Sequence, residues 1–192
     1  MKGGLGLPYY GVKKKVFISF HQKDRNEVDG FIDTWTDREG VFIPKALGVS
    51  DTDDFINSAN PEYVMSQIRE KYLGDSTVRI VLIGTCTHNR RYVDWEIKTS
   101  LRQGDYLPNG LLGILLPSCG TSAHLPQRFQ DNWERRGMNC YARYRAYPTT
   151  AQQLADWIED AYTARTTRPH LIQDSAEMMK YNGKCIVCGV TH

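Results

Sequence analysis

Apolar positions along the chain form short runs, separated by stretches in which they recur at helical spacing. Val16-Phe17-Ile18-Ser19-Phe20 combines β-branched and aromatic residues and ends in a polar stretch, which predicts a buried strand. Val28, Phe31, Ile32 and Trp35 then follow a helical period, with Asn26 as candidate N-cap and Gly40 as stop. Val41–Ile43 is a second strand closed by Pro44. Lys45 to Asn60 has no periodicity and is rich in Asp, Ser, Gly and Asn; a loop this long in a compact domain tends to be functional. Asn60-Pro61 opens a helix that buries Val64, Ile68 and Tyr72 and stops at Gly74. Val78–Ile83 is nearly all apolar, broken only by Arg79, as in strands covered on both faces. After a loop over Gly84–Asn89, Arg91–Arg102 reads as a helix with a Val93/Ile97/Leu101 stripe. Leu111–Leu116 is a fourth strand, stopped by Pro117.

Strand and helix alternate at least three times, which predicts an α/β fold: a doubly wound, mainly parallel, flavodoxin-like sheet with helices on both faces. Past Pro117 the pattern weakens. Asn139–Tyr141 reads as a fifth, edge strand, and Thr150–Tyr162 as a terminal helix burying Leu154, Ile158 and Tyr162, capped by Thr149 or Thr150. The chain therefore divides into a lead-in (1–14), one domain (15–163) and a tail (164–192).

Charge and composition narrow the function. With 24 basic and 22 acidic residues the net charge is +2, without the basic stripe of a nucleic-acid binder, so no nucleic-acid partner is expected. Lys13-Lys14-Lys15 reads as a solvated approach to the first strand. No apolar stretch reaches the roughly 20 residues of a membrane span. The glycine-rich start has no secretory pattern, and five irregularly spaced cysteines fit reduced thiols, so a cytoplasmic protein is expected.

Ligands of open parallel sheets bind outside the carboxyl ends of the strands. Here that edge gathers Phe20-His21, the 45–60 loop and Thr85–Trp95. Val16-Phe17-Ile18-Ser19-Phe20-His21-Gln22-Lys23-Asp24 resembles the opening strand and loop of TIR domains. Thr87-His88-Asn89-Arg90-Arg91-Tyr92-Val93-Asp94-Trp95-Glu96-Ile97 resembles the segment that carries the TIR catalytic glutamate. Over Lys15 to Pro117 the order and spacing are similar to those of the TIR-like proteins of bacterial Thoeris anti-phage defence.

The resemblance implies cleavage of NAD at the nicotinamide–ribose bond, giving a cyclic or conjugated ADP-ribose signal, with Glu96 as the catalytic carboxylate. It implies NAD as substrate and no separate cofactor. Nicotinamide leaves from a cationic ring and needs no proton, so one fixed carboxylate that stabilises an oxocarbenium-like ribose is sufficient. Glu96 shares a helix face with Tyr92 and Ser100, and is expected to be exposed or to line the crevice. Asp94, the rival acid, is expected to pair with Lys98 at the surface.

Phe20 could stack on a base and His21 could reach a phosphate or ribose, or they could be a core ring and a solvated loop residue. Asn89 and Arg90 could bind ribose or phosphate, or cap the helix. Trp95 could be a platform or a packing residue. The alternative is the same fold without turnover, a protein-interaction or nucleotide-binding module that assembles with itself or an effector protein through Pro44–Asn60. A receiver-like domain is disfavoured, because no acidic cluster follows the first strand. Gly3-Gly4-Leu5-Gly6 precedes the first strand and is not a dinucleotide fingerprint. Cys185-Ile186-Val187-Cys188-Gly189 with His192 resembles half a zinc site, needing Cys140 or His170 to complete it; no metal is expected.

Overall fold

The computed structural model describes residues 11–47, 57–104, 106–133 and 139–191. Five strands form one sheet: β1 (Lys15–Ser19), β2 (Ile43–Leu47), β3 (Val78–Ile83), β4 (Gly110–Leu115) and β5 (Arg143–Arg145). Their order is β2-β1-β3-β4-β5, and every pairing is parallel. The chain leaves β1 toward one side and returns to the other, which makes the β1/β3 boundary the topological switch point of a flavodoxin-like sheet.

The helices are α1 (Arg25–Ile32), continued by a π-helical turn Asp33–Arg38, α2 (Pro61–Ile68), continued by Arg69–Leu73, α3 (Arg91–Leu101), α4 (Gln127–Asn132) and α5 (Ala151–Thr167). Alternating side chains divide the core. Val16, Ile18, Phe20, Val78, Ile80 and Leu82 pack with α1 and α5 on one face. Phe17, Val81, Ile83 and Leu111 pack with α2, α3 and α4 on the other. Gly110 lets α5 approach β4 closely, because a Cβ there would strike the Ala161 carbonyl.

Three expectations shift at the edges. The second strand is Ile43–Leu47, not Val41–Ile43, and includes Pro44. A proline is tolerated there because β2 is an edge strand with one side free of ladder bonds. The fifth strand is Arg143–Arg145, two residues beyond the end of the predicted segment, and is also an edge. The first long helix starts at Arg25 and not after an Asn26 cap. Other signals hold: the Asn60 side chain accepts from the Glu62 and Tyr63 amides, and Thr150 caps α5.

The segment after α5 is a strap laid along α3 in reverse. Lys98 donates to the Asp174 and Ala176 carbonyls. Trp95 donates to the Met179 carbonyl, and Asp94 accepts from the Met179 amide. Arg91 bonds Asn182, and Asn89 exchanges hydrogen bonds with Gly183. No helix among the described residues is long and apolar enough to cross a membrane.

Candidate functional site

The carboxyl ends of β1 and β3 bring two loops together. After β1, His21 caps a short 3-10 turn (Gln22–Asp24), its Nδ1 accepting from the Lys23 amide at 3.0 Å. After β3, Gly84 passes so close to Asp24 that a Cβ would collide with its carboxylate. Thr87 binds the turn from inside: its hydroxyl accepts from the Gly84 amide at 2.9 Å and lies 3.5 Å from Asp24 Oδ2. Burial first, and then the neighbouring Glu27 charge, raise the Asp24 carboxyl to about 6.

Beneath these loops, on the α2/α3 face, Arg79 projects from β3 toward α3. Its Nη1 donates to Ser19 Oγ at 2.6 Å and to Glu96 Oε2 at 3.3 Å. The guanidinium lies over the Phe17 ring, 4.3 Å from its centroid. Arg79 is fully buried, and Glu96 is 1 % exposed. Burial lowers the Arg79 guanidinium to about 10, against the opposing pull of Glu96. Nε and Nη2 of Arg79 have no hydrogen-bond partner among the described residues.

Glu96 is thus neither exposed nor on a solvated helix face. Nearly the whole of α3 is covered, because the strap closes the side that its amphipathic pattern leaves to water. Asp94 does not pair with Lys98. It is buried and bound by Arg128, whose Nε lies 2.8 Å from Oδ1, while Lys98 turns to Asp174.

The other predicted site residues are dispersed. Phe20 belongs to the α1/α5 core, on the opposite face of the sheet from Glu96. Trp95 is 5 % exposed and packs between Tyr92 and the strap. Asn89 is buried against Gly183. Arg90 stands at the helix entry, its guanidinium 5.3 Å from the centre of the Tyr92 ring, and makes no side-chain cap. His21 is buried at the end of β1. Of the 45–60 loop, residues 48–56 lie outside the described residues. Asn57–Ala59 line a groove of about 780 Å³ between α2, α3 and the strap, together with Trp95 and Lys98. A second groove of about 570 Å³ lies near Thr99 and Tyr106, and Glu96 lines neither.

Sequence reasoning missed Arg79 and Asp24 as parts of this site. Arg79 did leave a signal, as the single charge in an otherwise apolar central strand.

An all-parallel 2-1-3-4-5 sheet is the flavodoxin-like arrangement, with which a TIR-like α/β domain is consistent. The family of the Thoeris protein ThsB, TIR-like domain, matches residues 17–120, more than half of the chain. The chain belongs to that family, and so to the TIR-like proteins of defence. No curated protein matches it.

Proposed function

We propose that this chain cleaves NAD at the nicotinamide–ribose bond and releases an ADP-ribose signal, cyclic or conjugated, in anti-phage defence in the cytoplasm. The observation that carries the reading is the Ser19–Arg79–Glu96 cluster beneath the switch point, with two guanidinium nitrogens unmet among the described residues. Buried polar groups left incompletely bonded call for an explanation, and ligand binding supplies one. Arg79 fixes the Glu96 carboxylate in place, and its spare donors suit a ribose hydroxyl or a phosphate oxygen. Glu96 would stabilise the positive charge that grows on the ribose as nicotinamide departs. At 1 % exposure its cover must open for substrate to enter.

The second reading, an assembly module without turnover, rests on that same burial: Glu96 then only neutralises Arg79. The test follows NAD and nicotinamide in extracts of phage-infected cells carrying the full chain or its Glu96→Gln form. NAD loss with nicotinamide release in the parent alone, with Glu96→Gln present at the parent's folded level, supports catalysis. Unchanged NAD in both favours the module.

A further inference from the structure

The cysteines that the sequence leaves as half a motif acquire a third member in space. Cys86, in the turn after β3, meets Cys185 and Cys188 from the end of the strap, and the three sulfurs all lie within 4.8 Å of one another. Cys86 and Cys188 are 3.5 Å apart. Neither Cys140 nor His170 completes the set: the Cys140 thiol donates to the Ala142 carbonyl, and His170 is exposed on the turn after α5. His192 lies outside the described residues.

The local backbone has the form of a metal knuckle. Cys185–Gly189 is a tight turn closed by the Gly189 amide on the Cys185 carbonyl at 2.8 Å, with Gly189 at φ 74°. An antiparallel bridge between Lys184 and Thr191 holds its base. The Cys185 sulfur itself lies 3.8 Å from the Thr85 carbonyl, in the turn that carries Cys86. Around a tetrahedral zinc with Zn–S near 2.3 Å, sulfurs sit about 3.8 Å apart, so the present spacing needs only small adjustment. No two of the five cysteines form a disulfide.

We propose that Cys86, Cys185 and Cys188 bind one zinc ion that staples the end of the strap to the β3 loop. Soft thiolate ligands favour zinc over hard cations. Among the described residues the cluster supplies three ligands, which leaves the fourth position to solvent. This site does not depend on the NAD reading, since none of its ligands belongs to the Ser19–Arg79–Glu96 cluster. Its consequence is mechanical: the metal would fix one wall of the switch-point loops to the strap that covers α3.

The test measures zinc by elemental analysis in the full chain, purified under reducing conditions from zinc-supplied cells, beside Cys86→Ser, Cys188→Ser and Cys140→Ser. About one zinc per chain is expected in the parent and in Cys140→Ser, with at least a roughly tenfold loss in the other two. Cys188 is exposed, so its serine form should keep the parent circular dichroism spectrum and report on metal alone. Replacing zinc with cobalt(II) in the parent should give the intense thiolate-to-metal absorption of a sulfur-rich tetrahedral site. A folded, reduced parent with far less than one zinc, or zinc undiminished in Cys86→Ser and Cys188→Ser, would overturn the assignment. So would a Cys86–Cys188 disulfide in place of metal.

Discussion

Arg79 and Glu96 face each other in a part of the molecule from which water is excluded, and each makes the other tolerable there. Removing one charge from such a pair leaves its partner stranded, at a cost of about 3–5 kcal/mol. Glu96→Gln should therefore lower the urea midpoint clearly, unlike the near-silent substitution expected of an exposed position. Adding Arg79→Met removes the stranded charge and should recover most of that stability. A Glu96→Gln midpoint equal to the parent's would mean that the pair contributes nothing. Asp24 offers a separate test through pH. Its carboxyl is raised from about 4 unfolded to about 6 folded, so the native state holds the extra proton between those values. The sign follows: this group's contribution is full below about pH 4, falls as pH rises toward 6, and is lost above. Asp24→Asn should flatten that segment of the stability–pH curve and raise stability at neutral pH. An unchanged slope would reassign the burial effect elsewhere.

At the scale of elements, α3 shows what a sequence conveys and what it withholds. Its Val93/Ile97/Leu101 stripe is legible because one face meets the sheet with helical period. Its other faces carry Tyr92, Asp94, Trp95 and Lys98, a mixture that reads as half-solvated. They are covered because residues about 80 positions later in the chain return to cover them, as the Asp94–Met179 bond illustrates. Local periodicity has no access to that return. The same reason hides the Asp94–Arg128 pair, which a local rule assigns to Lys98 at i+4. Central strands were legible to within a residue, whereas the edge strands β2 and β5 were displaced because they lack a second neighbour to impose a pattern. The strap gives its own prediction. Asp94→Asn removes one of the two carboxylates that bind Arg128, leaving Asp174, and weakens the acceptor for the Met179 amide, with a stability loss of about 1–3 kcal/mol. Hydrogen exchange should then rise over 174–183 well before it rises in β3 or β4. Protection unchanged along the strap would show that Asp94 does not hold it.

For the whole molecule, the family match runs from residue 17 to residue 120 and so contains most of β1, all of β3 and α3, and Cys86, but not α4, β5, α5 or the strap. The first four strands and the buried carboxylate are thus the family's part, and the strap laid over α3 is built from chain outside the match. Phe20 and Glu96 were expected around one ligand, yet they occupy opposite faces of the sheet, because side chains alternate along β1. The candidate site is therefore centred on Ser19, Arg79 and Glu96, with the Asp24–Thr87 turn above it. In the proposed function the Glu96 carboxylate performs chemistry and does not merely neutralise Arg79. Nicotinamide release from NAD, measured under activating conditions for the parent, Glu96→Gln and the Arg79→Met/Glu96→Gln pair at matched folded fraction, tests it most directly. A chemical role predicts a loss of about a hundredfold or more in both variants, with no recovery in the double variant even as its stability returns. Release restored to the parent's rate in the restabilised double variant would contradict it, and would leave Glu96 a structural counter-charge.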